Sequence, residues 1–365
     1  MSFDRTLRHL TEQASLIKNQ HAGKFAEQAH AFLRLGGGFP VSRDLVSRVR
    51  SRLGRQSVTA SSLSRYLSAF PVLSARLIAL CNQTYYMRGQ EVTTLDAGMN
   101  QLGLLRMADI LEELGVPGPF SNALHGRAIA GAQYQEMIMS NLLALRFYKI
   151  LSPLQQAEHL SALLCGMSSL SLFSLSYLRP EIYSALLLDN FTKEQGRFDR
   201  TFKRVFRSSS ARFSASILDE MNIPRVLSDR VSLLEIAPWN RRTWVGAAEV
   251  DVRCAAIAAY LAQRTVREFY RFRDSHYLTK LLKDFETRMR TPLKKFQECL
   301  SGLSDDFLDV IEDLGLVPLR IPEYLRSYDD LILDEDKKRE PESRRSYTLA
   351  QRLQSSLVEL KACVN

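Results

Sequence analysis

The chain has 365 residues, 45% of them hydrophobic and 24% charged, a balance that excludes a disordered or fibrous protein. The length suits two domains or one large domain with an appendage. The net charge is +9 and the pI near 9.3, which attracts phosphate groups, nucleic acid or anionic lipid, although the charges are spread along the whole sequence.

The first residues, Met1-Ser2-Phe3-Asp4-Arg5, lack the apolar core of a signal peptide. Residues 3–33 are predicted as a helix or helix pair, because Leu7, Leu10, Ala14, Ile17, Phe25, Ala29 and Phe32 recur at spacings near three and four. Gly36-Gly37-Gly38 ends that element, and Pro40 begins another. From Ser42 to Leu114 short helices alternate with tight turns. Leu45, Val49 and Leu53 mark one buried face, Leu63 and Leu67 the next, and Leu73, Leu77 and Leu80 a third that starts at Pro71. Thr93-Thr94 caps a helix that Gly103 breaks.

Residues 120–190 follow a helical pattern bounded by Pro153 and Pro180. No run of about 18 uninterrupted apolar residues is present anywhere in the sequence, so no membrane span is expected, and the serine-rich stretch Leu160–Leu178 reads as a buried helix pair. Residues 192–222 are predicted as one or two helices ending at Pro224. Residues 246–303 are predicted as two long helices broken near Asp274-Ser275, with Pro292 interrupting the second. Residues 328–346 read as a charged linker, and Leu349, Leu353, Leu357 and Leu360 give an amphipathic helix at the end. Almost no period-two alternation occurs, so the fold class is all-α. Five scattered cysteines without a CxxC suit free thiols in a reducing compartment, hence a cytoplasmic location.

A set of positions between Phe39 and Gly103 forms a recognisable pattern. Phe39-Pro40 makes an opening turn, with Leu45 and Val49 on the helix after it. Phe70-Pro71 precedes a helix carrying Leu73, Arg76-Leu77 and Asn82, with Tyr86 beyond it. Val92-Thr93-Thr94-Leu95, Ala97 and Leu102-Gly103 follow. This pattern resembles the opening of an HDOD domain, a relative of the HD-type metal phosphohydrolases, although the family usually has Asp-Pro where Phe70-Pro71 stands. The similarity continues more loosely through Ala162-Leu163-Leu164-Cys165-Gly166-Met167, Ile223-Pro224 and the helix Ala247–Ala258. It divides the chain into an N-terminal helical segment (1–33), an HDOD-like multi-helix domain (34–262) and a helical C-terminal extension (263–365).

The resemblance also says what is missing. No His in the sequence is followed by Asp, and the place of that dipeptide is taken by Cys165-Gly166. Glycine has no ligating side chain, and a cysteine in an apolar run reads as a small buried hydrophobe. No catalytic residue, metal ligand or cofactor is therefore assigned. The resemblance implies a bacterial, non-enzymatic signal-transduction or regulatory module that acts on a signalling partner by binding, with the space of the former metal site as a possible ligand cavity. A degenerate phosphohydrolase would need distant groups such as His125, His159 and Asp251 to converge.

The most site-like feature is basic. Arg197, Arg200, Arg204 and Arg207 fall at spacings of three, four and three, with Lys203 beside them, and share one helix face opposite Phe198, Phe202, Val205 and Phe206. Such a stripe can hold phosphate groups or an acidic partner, and so offers a nucleotide or nucleic-acid site. It also has the form of an ordinary solvated helix face. A second cluster, Arg264, Arg267, Phe269, Tyr270, Arg271, Phe272 and Arg273, interleaves arginine with aromatics that have core spacing.

Overall fold

In the computed structural model of the full chain, the described residues are 24, 25, 27–33, 39–53, 59–83, 91–114, 128–152, 157–191, 197–235, 250–272 and 275–318. Among them the only regular secondary structure is helical, and no strand occurs. The charged linker 328–346 and the leucine helix near the end lie outside the described residues.

Local chemistry fixes the helix ends. Residues 27–33 are helical. They are followed by α1 (Arg43–Leu53) and α2 (Ala60–Ser68). Thr59 caps α2: its hydroxyl accepts from Ser62 N, and the Ser62 hydroxyl returns the favour to Thr59 N. Helix α3 (Pro71–Cys81) has Pro71 in its first turn, where the missing N–H costs nothing. Thr94 caps α4 (Leu95–Leu102), whose end is set by Gly103 at φ +80°. Helix α5 (Leu104–Leu114) packs back on α1.

The centre of the molecule is α6 (Ala128–Leu151), which packs against α7 (Glu158–Ser168) and α13 (Val250–Phe272). Small residues make that close approach possible. Ala255, Ala256, Ala258, Ala259 and Ala262 are buried on α13 with Leu261, Val266 and Phe269. Helices α8 (Leu170–Leu178) and α9 (Pro180–Phe191) follow α7, so Leu160–Leu178 is a buried helix pair as its serines suggest. The serine hydroxyls are bonded within the core. Ser174 donates to the Leu170 carbonyl and Ser171 to that of Ser210, while Ser214 donates to that of Ser168. Paired in this way, they avoid the cost of burying an unmet polar group.

Helices α10 (Arg197–Phe206), α11 (Ser210–Glu220) and α12 (Arg225–Leu233) form the next layer. Helix α14 (Ser275–Met289) follows α13, with the break where Asp274-Ser275 places it. The interruption at Pro292 separates α14 from α15 (Leu293–Leu300), and Arg290 takes φ +54° in the turn. Helix α16 (Leu303–Asp313) then lies across α6 and α1. Asp313 fastens it by accepting from the Tyr66 hydroxyl at 2.8 Å and by pairing with Arg48. Arg146 of α6 bonds the Cys299 carbonyl at 2.9 Å and pairs with Asp306 at 2.6 Å. Helix α13 runs through residue 262 without interruption, so the segments on either side of that position share one helix.

Candidate functional site

The matched positions of the sequence come together in space. Arg76 of α3 reaches the Phe39 carbonyl at 3.1 Å, which ties the opening turn to the third helix. Asn82 ends α3 by donating to the carbonyls of Ile78 and Val92 and accepting from Val92 N, each at 2.8 Å. These bonds hold the approach to α4 in place. Asn82 also borders a cleft of about 490 Å³ together with Glu91, Asp219, Asn222, Pro224 and Arg225. The cleft therefore joins Asn82 to Ile223-Pro224, two segments far apart in sequence. Asn222 at its rim has φ +59°, a conformation that asparagine tolerates better than most residues.

The position of the lost dipeptide is filled with protein. Cys165 is fully buried on α7, and burial pushes its thiol well above the ordinary range. Its carbonyl accepts from Ser168 and Gln263. Gly166 is packed against Pro71 and the Asn141 amide. The ligand cavity expected there is replaced by this contact between α7, α3 and α6, because a residue without a side chain lets the helices close on each other.

The histidine and acid proposed as distant metal partners keep different company. His159 Nε2 lies 3.8 Å from Asp96 of α4, while its buried Nδ1 has no hydrogen-bond partner among the described residues. Asp251 on α13 accepts hydrogen bonds from Ser152 and Tyr148 at the end of α6. His125 lies outside the described residues. Among the described residues, no group of three or more His, Cys, Asp or Glu side chains is placed to hold a metal ion.

The basic stripe follows its helical spacing only in part: α10 carries Arg200, Lys203 and Arg204 on its exposed side, while Arg207 lies one residue past the helix, where the chain turns. Phe198 and Phe202 of α10 are buried, while Arg200, Lys203, Arg204 and Arg207 are exposed. The side chain of Arg197 lies outside the described residues. A cluster of tilted and edge-on rings packs beneath the helix. Phe202 and Phe206 have centroids 4.5 Å apart, Phe206 meets Phe25 at 5.6 Å, and Phe25 meets Phe213 at 5.2 Å. Lys203 pairs with Glu235 at 2.9 Å, and Arg212 of α11 joins the same carboxylate at 2.7 Å. Arg200 and Arg207 have no carboxylate within 4 Å among the described residues. Arg207 ends the helix at φ +53°.

Sequence reasoning missed Arg212 and Glu235 because their contacts cross between elements. The second basic cluster separates into structural roles: Phe269 is buried, Arg264 bonds the Tyr260 hydroxyl at 3.1 Å, and Arg267 pairs with Asp199 at 3.2 Å. The side chains of residues 270–273 lie outside the described residues.

The pattern of the HDOD domain matches residues 39–235, more than half of the chain. The protein belongs to the HDOD family. Both the cleft and the basic face fall inside the HDOD segment. Among solved structures, a virulence factor from Campylobacter jejuni subsp. jejuni is similar at 16% identity and a TM-score of 0.52, over 78% of this chain and 99% of that one. At that identity the likeness shows the shared fold. The MmoQ response regulator from Methylococcus capsulatus str. Bath is 17% identical, with a TM-score of 0.48, over 72% of this chain and 97% of that one. An HDOD domain protein from Geobacter sulfurreducens is 12% identical, with a TM-score of 0.34, over 83% and 98%. No curated protein matches the sequence.

Proposed function

We propose that this HDOD protein is a non-catalytic regulatory module of bacterial signal transduction that acts by binding an acidic segment of a partner protein. The observation that carries this reading is the packing at Cys165-Gly166. The residues standing where an HD enzyme has its metal-binding dipeptide are a buried thiol and a glycine closed against Pro71 and Asn141. What the surface offers instead is a cationic helix face held rigid by aromatic rings, which suits recognition of carboxylates by guanidinium groups. The buried unpaired thiols Cys81, Cys165 and Cys299 support a cytoplasmic setting.

Two measurements test this reading. Elemental analysis of protein purified without chelators or a metal-affinity tag is expected to find no stoichiometric metal, and iron, manganese or zinc at one per chain would revive the hydrolase. Binding of polyglutamate, used as the acidic probe, is expected to weaken in R200E/R204E and with rising salt. Binding that ignores both changes removes the face from the proposal.

A nucleic-acid reading rests on the exposed Arg200 and Arg207. It requires duplex DNA binding whose salt slope falls by about 2 in R200E/R204E.

A further inference from the structure

We infer that the basic face of α10 is a docking site for this chain's own acidic segment 329–336, which competes with an outside partner. The inference rests on the reading of α10 as an acidic-partner surface and adds its regulation. Arg200, Lys203 and Arg204 are exposed on α10, and Arg207 is exposed just past its end. Glu235 meets Lys203 and Arg212 together, while Arg200 and Arg207 have no carboxylate within 4 Å among the described residues. The sequence carries a complementary stretch. Asp329, Asp330, Asp334, Glu335 and Asp336 place five carboxylates within eight residues, and no basic residue falls among them. The sign reverses at once after it, at Lys337-Lys338-Arg339, so the negative charge is confined to that stretch.

The reach is sufficient. The Val317 carbonyl is held by Gln135 of α6 at 2.9 Å, close to the last described residue. Gln133, on the same turn of α6, accepts from the Tyr183 hydroxyl of α9, and α9 packs against α10. The path thus crosses neighbouring helices set about 10 Å apart, some 20–30 Å in all. The stretch from 318 to 329 can span up to about 35–40 Å. Once there, eight residues cover the roughly 10 Å between Arg200 and Arg207 whether extended or coiled.

The test uses the full chain. Polyglutamate should bind D334N/E335Q/D336N roughly fivefold more tightly than wild type at low salt, the gain that a handful of released ion pairs supplies. Adding R200E/R204E should abolish that gain. As a direct readout, trypsin cleavage after Lys337, Lys338 and Arg339 should be slow in wild type at low salt and faster in R200E/R204E, which is remote from the cut. The salt dependence should vanish in that variant, whose helical circular dichroism serves as the check on folding.

If the tail variant binds polyglutamate no more tightly while R200E/R204E still weakens binding, self-docking is overturned and the face reading stands. If neither set of substitutions moves binding, both fail. Protection from trypsin that grows with protein concentration assigns the occupant to a second copy and overturns docking within one chain.

Discussion

A Cβ built on Gly166 would lie 2.5 Å from the Pro71 Cβ and 2.9 Å from the Asn141 amide nitrogen. Neither neighbour is the loose end of a flexible side chain. Gly166→Ala is therefore expected to cost about 1–3 kcal/mol through overpacking, read as a melting temperature lowered by several degrees. An unchanged melting curve would mean that α3 and α7 separate easily. Asn82→Ala removes the bonds that join α3 to Val92 and leaves that backbone unmet; a loss of about 1–3 kcal/mol in urea titration is expected. His159 adds a pH effect. Burial holds it below its ordinary value of 6.5, against the pull of Asp96 and Glu158. The unfolded chain then takes up the proton first as pH falls. The contribution is intact above about pH 6.5 and is lost progressively below it. Denaturation midpoints should drop between about pH 7 and 5, and His159→Gln should flatten that slope.

At the level of helices, local signals proved readable and distant ones did not. Thr94, Gly103 and Pro71 mark helix ends through chemistry confined to a few residues, and each stands at the boundary its residue type implies. The face of α10 was legible because spacings of three and four place side chains together on any helix. The cleft was not. It needs Asn82 and Pro224 to meet, and nothing within either segment encodes the other's position. The same holds for Asp313, whose partners Tyr66 and Arg48 lie about 250 residues earlier. That carboxylate also makes a prediction about an element. Asp313→Ala should loosen α16 selectively, so that amide hydrogen exchange rises over 303–318 and stays unchanged in α6. Equal acceleration throughout would show that α16 has no separate stability.

Over the whole molecule, the family's own segment is not self-sufficient in this chain. Its match ends at residue 235, yet α13 supplies the buried alanine face that packs on α6 and α7. A chain ending at residue 235 is expected to aggregate or to lose cooperative melting, because the faces of α6 and α7 turned to α13 would meet water. A monomeric, cooperatively melting fragment in size exclusion and calorimetry would contradict this. The same arrangement bears on how the protein is made. The stretch Glu158–Leu178 is apolar enough by length and composition to pass for a membrane-crossing helix, and it is 94% buried only once the fold is complete. Its cover in α13 is synthesised roughly seventy residues later, a delay of about 4–14 s at ordinary ribosome speed. During that interval the side of α7 that α13 will cover stays open to water in the nascent chain, although α3 and α6 are already made.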